Sequence, residues 1–128
     1  MNTPRLFLVL GALAGFFSVA FGAFGAHVLQ DRMSPHMFDI FNKAVHYQGL
    51  HALAILFTGL LLSAFPTSSL RWAGICFITG IGLFSGSLYA LSLSGIRSLG
   101  AITPLGGLSF LAGWLLLAIG GWKYGSRT

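Results

Sequence analysis

Two histidines, a tyrosine and a glutamine stand together in HYQGLHALAIL, residues 46–56, where a long apolar run begins. A third histidine, His27, closes an earlier apolar run in GAFGAHVL, and Tyr89 stands late in a later one. Imidazole titrates near neutrality and ligates metals, so these residues at a membrane border leave several kinds of chemistry open. They could hydrogen-bond one another and nearby carbonyls to fix helix register, or relay a proton or hold a ligand. His27 and His51 could also share a haem iron. Helical spacing sorts the set. Tyr47 and His51 lie at i,i+4 with Gln48 beside them, whereas His46 and His51 stand about 140° apart around a helix and cannot enter one small site. The candidate cluster is therefore His27, Tyr47, Gln48, His51 and Tyr89.

What is missing narrows the reading further. The chain has two acids in all, Asp31 and Asp39, both outside the apolar runs, and no glutamate. A proton-coupled exporter generally needs a carboxylate inside the membrane, so that mechanism is disfavoured. No phosphate-binding loop, serine–histidine–acid set or paired metal-binding histidines on one helix can be read, so no catalytic residue and no metal site is nominated. Cys76 is alone, which rules out an intramolecular disulfide. Seven Lys and Arg scattered singly give a net charge of +5 without the clustering that nucleic acid would require.

The elements that must position the cluster follow from composition. Of 128 residues, 55% are hydrophobic and 7% charged, with mean hydropathy +0.85. That is far below the roughly one-quarter charged residues a soluble surface carries. Uncharged windows at 6–30, 44–70, 72–96 and 98–122 each exceed the about 20 residues that cross a hydrocarbon core. The chain is expected to be one all-α polytopic domain, 1–128, with spans near 5–28, 47–65, 70–93 and 104–122. The first apolar stretch is longer than the roughly 7–15 residues of a secretory signal, so it is expected to stay as a helix.

Ser34-Pro35 and Thr103-Pro104 read as caps followed by a first-turn proline. A helix from Pro35 would outrun one bilayer, which predicts an amphipathic segment over 35–46 lying along the interface or projecting from it. Small residues draw packing stripes: Gly11, Gly15 and Gly22 in the first helix, Gly82 and Gly86 in the third, and Gly106, Gly113 and Gly120 seven apart in the fourth. Shifts of 60 and 58 residues align parts of the two halves, which suggests two tandem helix pairs. In this topology the candidate cluster gathers at one membrane face. Arg5, Arg71, Lys123 and Arg127 flank one side against Arg32, Lys43 and Arg97 on the other, which puts both termini in the cytoplasm.

GAFGAHVL, HYQGLHALAIL, LFSGSLYAL and GAITPLGGLSFLAGW occur in this order and together span most of the chain. They resemble the YgdD-like family of small bacterial inner-membrane proteins, a domain-of-unknown-function family with small eukaryotic transmembrane relatives. The resemblance implies a four-helix protein of the bacterial inner membrane and carries no activity, substrate or catalytic residue with it. The function expected is therefore non-enzymatic. The helices pack with one another and with further copies in a homo-oligomer, and the polar cluster binds a lipidic or small-molecule ligand or a partner. A small transporter or channel subunit, and a haem-binding redox module on His27 and His51, are the alternatives. No cofactor besides that haem is implied.

Overall fold

A computed structural model describes residues 2–126. The first helix, α1 (Thr3–Phe24), starts where the Asn2 side chain accepts the Arg5 amide at 3.0 Å and Pro4 occupies the first turn. It runs on through a π-helical turn, Gly25–Leu29. Ser34 Oγ accepts the Met37 amide at 3.1 Å and opens α2 (Pro35–Ala64). Thr67 caps α3 (Ser68–Gly80), which passes through a second π-helical turn, Ile81–Ser85, into α4 (Gly86–Ser94). Gly95, at φ 75°, stops that rod in a conformation other residues avoid. A 3₁₀ turn, Arg97–Ala101, leads into α5 (Thr103–Lys123).

Thr3–Leu29, Pro35–Ala64, Ser68–Ser94 and Arg97–Lys123 are each long and apolar enough to cross a membrane, and no strand occurs among the described residues. The protein is an all-α, four-span membrane protein. The spans pack in chain order, α1 on α2, α2 on α3 and α4, and α3 on α5, so α1 and α5 are outermost and turn most of their surface outward. Phe7, Ile55, Leu62, Leu70, Phe77 and Phe110 form the centre.

Two local expectations are corrected, and a third takes definite form in residues 35–46. They are the first turns of a continuous α2, and α1 accompanies them, with Gly25 against Phe41 and Gly22 against Val45. Phe41 and Ala44 are buried there, while Asp39 and Lys43 pair at 3.5 Å on the outer face. Extending a formed helix costs little, and nothing after Pro35 breaks it. The first correction is that Thr103 is not a cap: Ile102 holds that place, and the Thr103 hydroxyl is 2.6 Å from Ser87 Oγ.

The second correction concerns the glycines of the third span. A Cβ on Gly82 would meet nothing within 4 Å, and one on Gly86 only the Ile81 carbonyl at 4.0 Å. The π-helical turn widens the helix at this point and shifts the angular phase, so Gly82 and Gly86 face outward. Gly74 and Gly80 take the packing role, receiving Phe7 and Phe110. On α5, Gly106, Gly113 and Gly120 receive Phe84, Phe77 and Leu70. Small positions thus alternate with large ones across the α3–α5 seam. On α1, Gly11 sits 3.1 Å (as a Cβ) from the Ala52 carbonyl, whereas Gly15 makes ordinary contact with Ala52 at 3.9 Å.

Candidate functional site

Pairing of α1 with α2 fixes the depth of the polar residues. Gly15 abuts Ala52, so His51 lies level with the middle of α1. At 1.5 Å per residue it is about 12 Å from Lys43 along α2, and the facing Gly15 is about 15 Å from Arg5 along α1. The expected cluster at one membrane face is corrected by this register. His51 sits near the middle of the span, where an unsatisfied polar group costs most.

Its ring is fully engaged there. Nδ1 lies 2.7 Å from the Tyr47 carbonyl, one turn back on the same helix, and Trp114 Nε1 donates to Nε2 at 3.1 Å from α5. A carbonyl only accepts and an indole N–H only donates. The two partners together therefore select the neutral imidazole with its proton on Nδ1. Phe110 stacks on the ring, with centroids 3.5 Å apart and planes 9° from parallel, and Phe77 packs against both His51 and Trp114. His51 is 2% exposed, whereas Trp114 is 41% exposed and forms the outer side of the pair.

One turn earlier, Gln48 ties three spans together. Its Nε2 donates to the Ala14 carbonyl on α1 at 2.9 Å, and its Oε1 accepts the Tyr89 hydroxyl of α4 at 2.6 Å. Ser18 donates to the Val45 carbonyl at 3.0 Å, Ser85 to Ala44 at 2.8 Å and Ser109 to Cys76 at 2.7 Å. Each seam between neighbouring spans therefore carries at least one side-chain hydrogen bond. Among the described residues no buried side-chain nitrogen or oxygen lacks a partner. In hydrocarbon such bonds fix which helices meet and in what register, each adding modestly to stability.

The structure does not bring all five candidates together. Gln48 and Tyr89 are bonded, and Tyr47 stacks loosely on His51 at 6.2 Å between centroids. His27 is exposed in the π-helical turn that closes the first span, level with the start of α2. Twelve helical residues separate its level from that of Gly15, about 18 Å along the axis. One iron cannot be held between His27 and His51 in this arrangement. No group of three or more His, Cys, Asp or Glu gathers anywhere among the described residues.

Beside the His51–Trp114 pair a groove of about 570 Å³ opens sideways between α2 and α5. Tyr47, His51, Phe84, Phe110 and Trp114 form its aromatic wall, and Leu50, Leu108 and Leu111 its outer lips. Sequence reasoning missed Trp114 and Phe110, the residues that complete the site. A signal was present, since tryptophan normally belongs at the membrane–water interface and Trp114 stands mid-run in LSFLAGWLLLAIG.

The family model described as "Protein of unknown function (DUF423)" matches residues 21–107, from the end of α1 to the start of α5. A UPF0382 membrane protein of Staphylococcus haemolyticus is 47% identical over 120 residues, covering 94% of this chain and 98% of the relative. UPF0382 membrane proteins of Staphylococcus aureus (strain bovine RF122 / ET3-1) and Staphylococcus epidermidis (strain ATCC 12228 / FDA PCI 1200) are 45% and 46% identical with the same coverage. No solved structure matches. With its four spans and this near full-length similarity, the chain belongs to the DUF423 family of small bacterial membrane proteins.

Proposed function

We propose that the protein is a non-enzymatic membrane protein that holds one apolar chain, the tail of a lipid or of a lipidic small molecule, in the groove between α2 and α5. The observation that carries this reading is the groove itself, built beside a histidine whose two ring nitrogens already have partners within the protein. A wall of that kind offers mainly aromatic faces, with the Tyr47 hydroxyl as its side-chain group without a partner among the described residues, so it selects chiefly by shape and dispersion. At mid-span depth the surrounding solvent is lipid tails, and a polar headgroup would have to leave water to reach it. The internal hydrogen bonds of His51 and Gln48 serve as the frame that keeps the wall rigid.

Gly107→Leu tests this. A Cβ at Gly107 meets only Phe84 Cδ2, at 3.9 Å, so the leucine fills the groove without forcing the helices apart. Wild-type protein purified in mild detergent is expected to retain a tail-bearing molecule in native mass spectrometry, and Gly107→Leu to lose most of it at unchanged stability. Equal retention in the two proteins, or none in the wild type, would sink the reading. A Soret band in the same sample would replace it with the haem alternative.

Under the same reading α1 and α5, the outermost spans, are the faces through which copies associate, and that mass spectrum reads the oligomeric state. Both termini are assigned to the cytoplasm, supported by Arg5, Arg71 and Lys123 at their end of the bundle. Arg127 adds to that count in the sequence but lies outside the described residues. Fusing green fluorescent protein or alkaline phosphatase to the C-terminus decides it. Fluorescence is expected, and phosphatase activity would reverse the assignment.

A further inference from the structure

At the end of the bundle that holds both termini, a cleft of about 360 Å³ lies between the start of α1, the end of α2 and the turn into α3. It is lined by Asn2, Thr3, Pro4, Leu62, Pro66 and Arg71, with Ser63 at its edge. We propose that this cleft binds the phosphate of an anionic phospholipid, a site separate from the mid-membrane groove and independent of what the groove holds.

The donor inventory points that way. The Arg71 guanidinium makes no hydrogen bond or ion pair among the described residues, so its five N–H groups are free. The Thr3 hydroxyl is likewise unengaged, and Asn2 spends only its carbonyl oxygen, on the Arg5 amide, leaving its NH₂ free. Ser63 already donates to the Leu60 carbonyl. The cleft thus offers one cation and two neutral donors against apolar walls of Pro4, Leu62 and Pro66. A phosphodiester, an anion that only accepts hydrogen bonds, is the complementary group, and a planar guanidinium suits it.

Charge placement excludes the opposite kind of ligand. Arg5, Arg71 and Lys123 share this end, and both acids of the chain, Asp31 and Asp39, belong to the other. Among the described residues no acid neutralises Arg71. The position along the spans also fits, because the first turn of α1 and the last of α2 reach the headgroup layer. Lipid, rather than free phosphate, is favoured because the walls of Pro4, Leu62 and Pro66 are apolar.

The test uses the full chain in detergent, titrated with dioleoyl phosphatidylglycerol or dioleoyl phosphatidylcholine and read by native mass spectrometry. The wild type is expected to retain phosphatidylglycerol preferentially. Arg71→Gln should lower that retention about fivefold, the effect of one basic group near anionic lipid. Arg71→Lys should fall between, and Arg5→Gln, outside the cleft, should change little. Equal losses in Arg5→Gln and Arg71→Gln would mean diffuse attraction and overturn the proposal, as would no preference in the wild type. Displacement of the lipid by millimolar inorganic phosphate would reassign the site to a free anion and overturn it too. Should Arg71→Gln fail to fold, Thr3→Val removes one hydroxyl alone. It is expected to lower retention about threefold, and unchanged retention would count against the site.

Discussion

Gly106→Ala is expected to destabilise the bundle by about 3 kcal/mol, the upper end of what overpacking usually costs. An added Cβ would stand 2.7 Å from the Cα of Phe84, which is backbone and cannot rotate away. Relief requires α5 to back off from the π-helical turn, and that would unseat Phe110 from Gly80 and loosen its stack on His51. Gly113→Ala should cost less, because its new methyl meets the Phe77 ring at 2.7 Å and a ring can tilt. Gly82→Ala should be neutral or slightly stabilising, since nothing lies within 4 Å and alanine favours helix over glycine. Reversible unfolding in mixed micelles, followed by circular dichroism, ranks the three. If Gly106→Ala and Gly82→Ala unfold together, close packing at the α3–α5 seam is not what holds the spans in place.

The same glycines show how far the sequence can be read. Four uncharged windows suffice to place four spans, because hydrocarbon thickness sets a length that composition meets or fails to meet. The stripe of Gly106, Gly113 and Gly120 was legible because α5 is regular helix throughout, so spacing in sequence is spacing on a face. Gly82 and Gly86 look equally periodic, but Gly82 lies inside the π-helical turn Ile81–Ser85 and Gly86 directly after it, which breaks the phase on which such counting depends. No residue type in IGLFS announces that turn. It is stabilised from outside, by Ser85 reaching the Ala44 carbonyl and by Phe84 seated on Gly106.

The site was half legible for a related reason. Tyr47, Gln48 and His51 stand at the start of an uncharged window, and that made them look like a membrane threshold. Depth depends on the register of α1 against α2, set by contacts such as Gly11 on Ala52 and Gly25 on Phe41. Those contacts join residues roughly 15 to 40 apart and leave no local trace. His27 fell into the candidate cluster through the same error, since closing one span and opening the next are equivalent only if both happen at the same height. Gln48 and Tyr89, by contrast, were brought together as the helix directions required.

His51 and Trp114 offer the second large effect, and a way to separate a hydrogen bond from mere packing. His51→Phe preserves an aromatic ring against Phe110 but leaves the Trp114 N–H without its acceptor in hydrocarbon. Trp114→Phe removes the donor and leaves Nε2 of His51 unpaired, with no water at that depth to replace it. Each single variant is expected to lose about 2 kcal/mol or more, because a stranded buried group costs more than its bond contributes. The double variant should lose less than the sum, with a coupling of about 1–2 kcal/mol, near the top of what interhelical bonds reach in membranes. Trp72→Phe and Trp122→Phe make Trp114 the sole tryptophan, so its selectively excited emission reports the same bond directly. Adding His51→Phe to that background is expected to shift the emission as the indole loses its partner. Additive stabilities together with unshifted emission would show that the ring packs without bonding. His51 would then lose its fixed tautomer, and the groove wall its rigid frame.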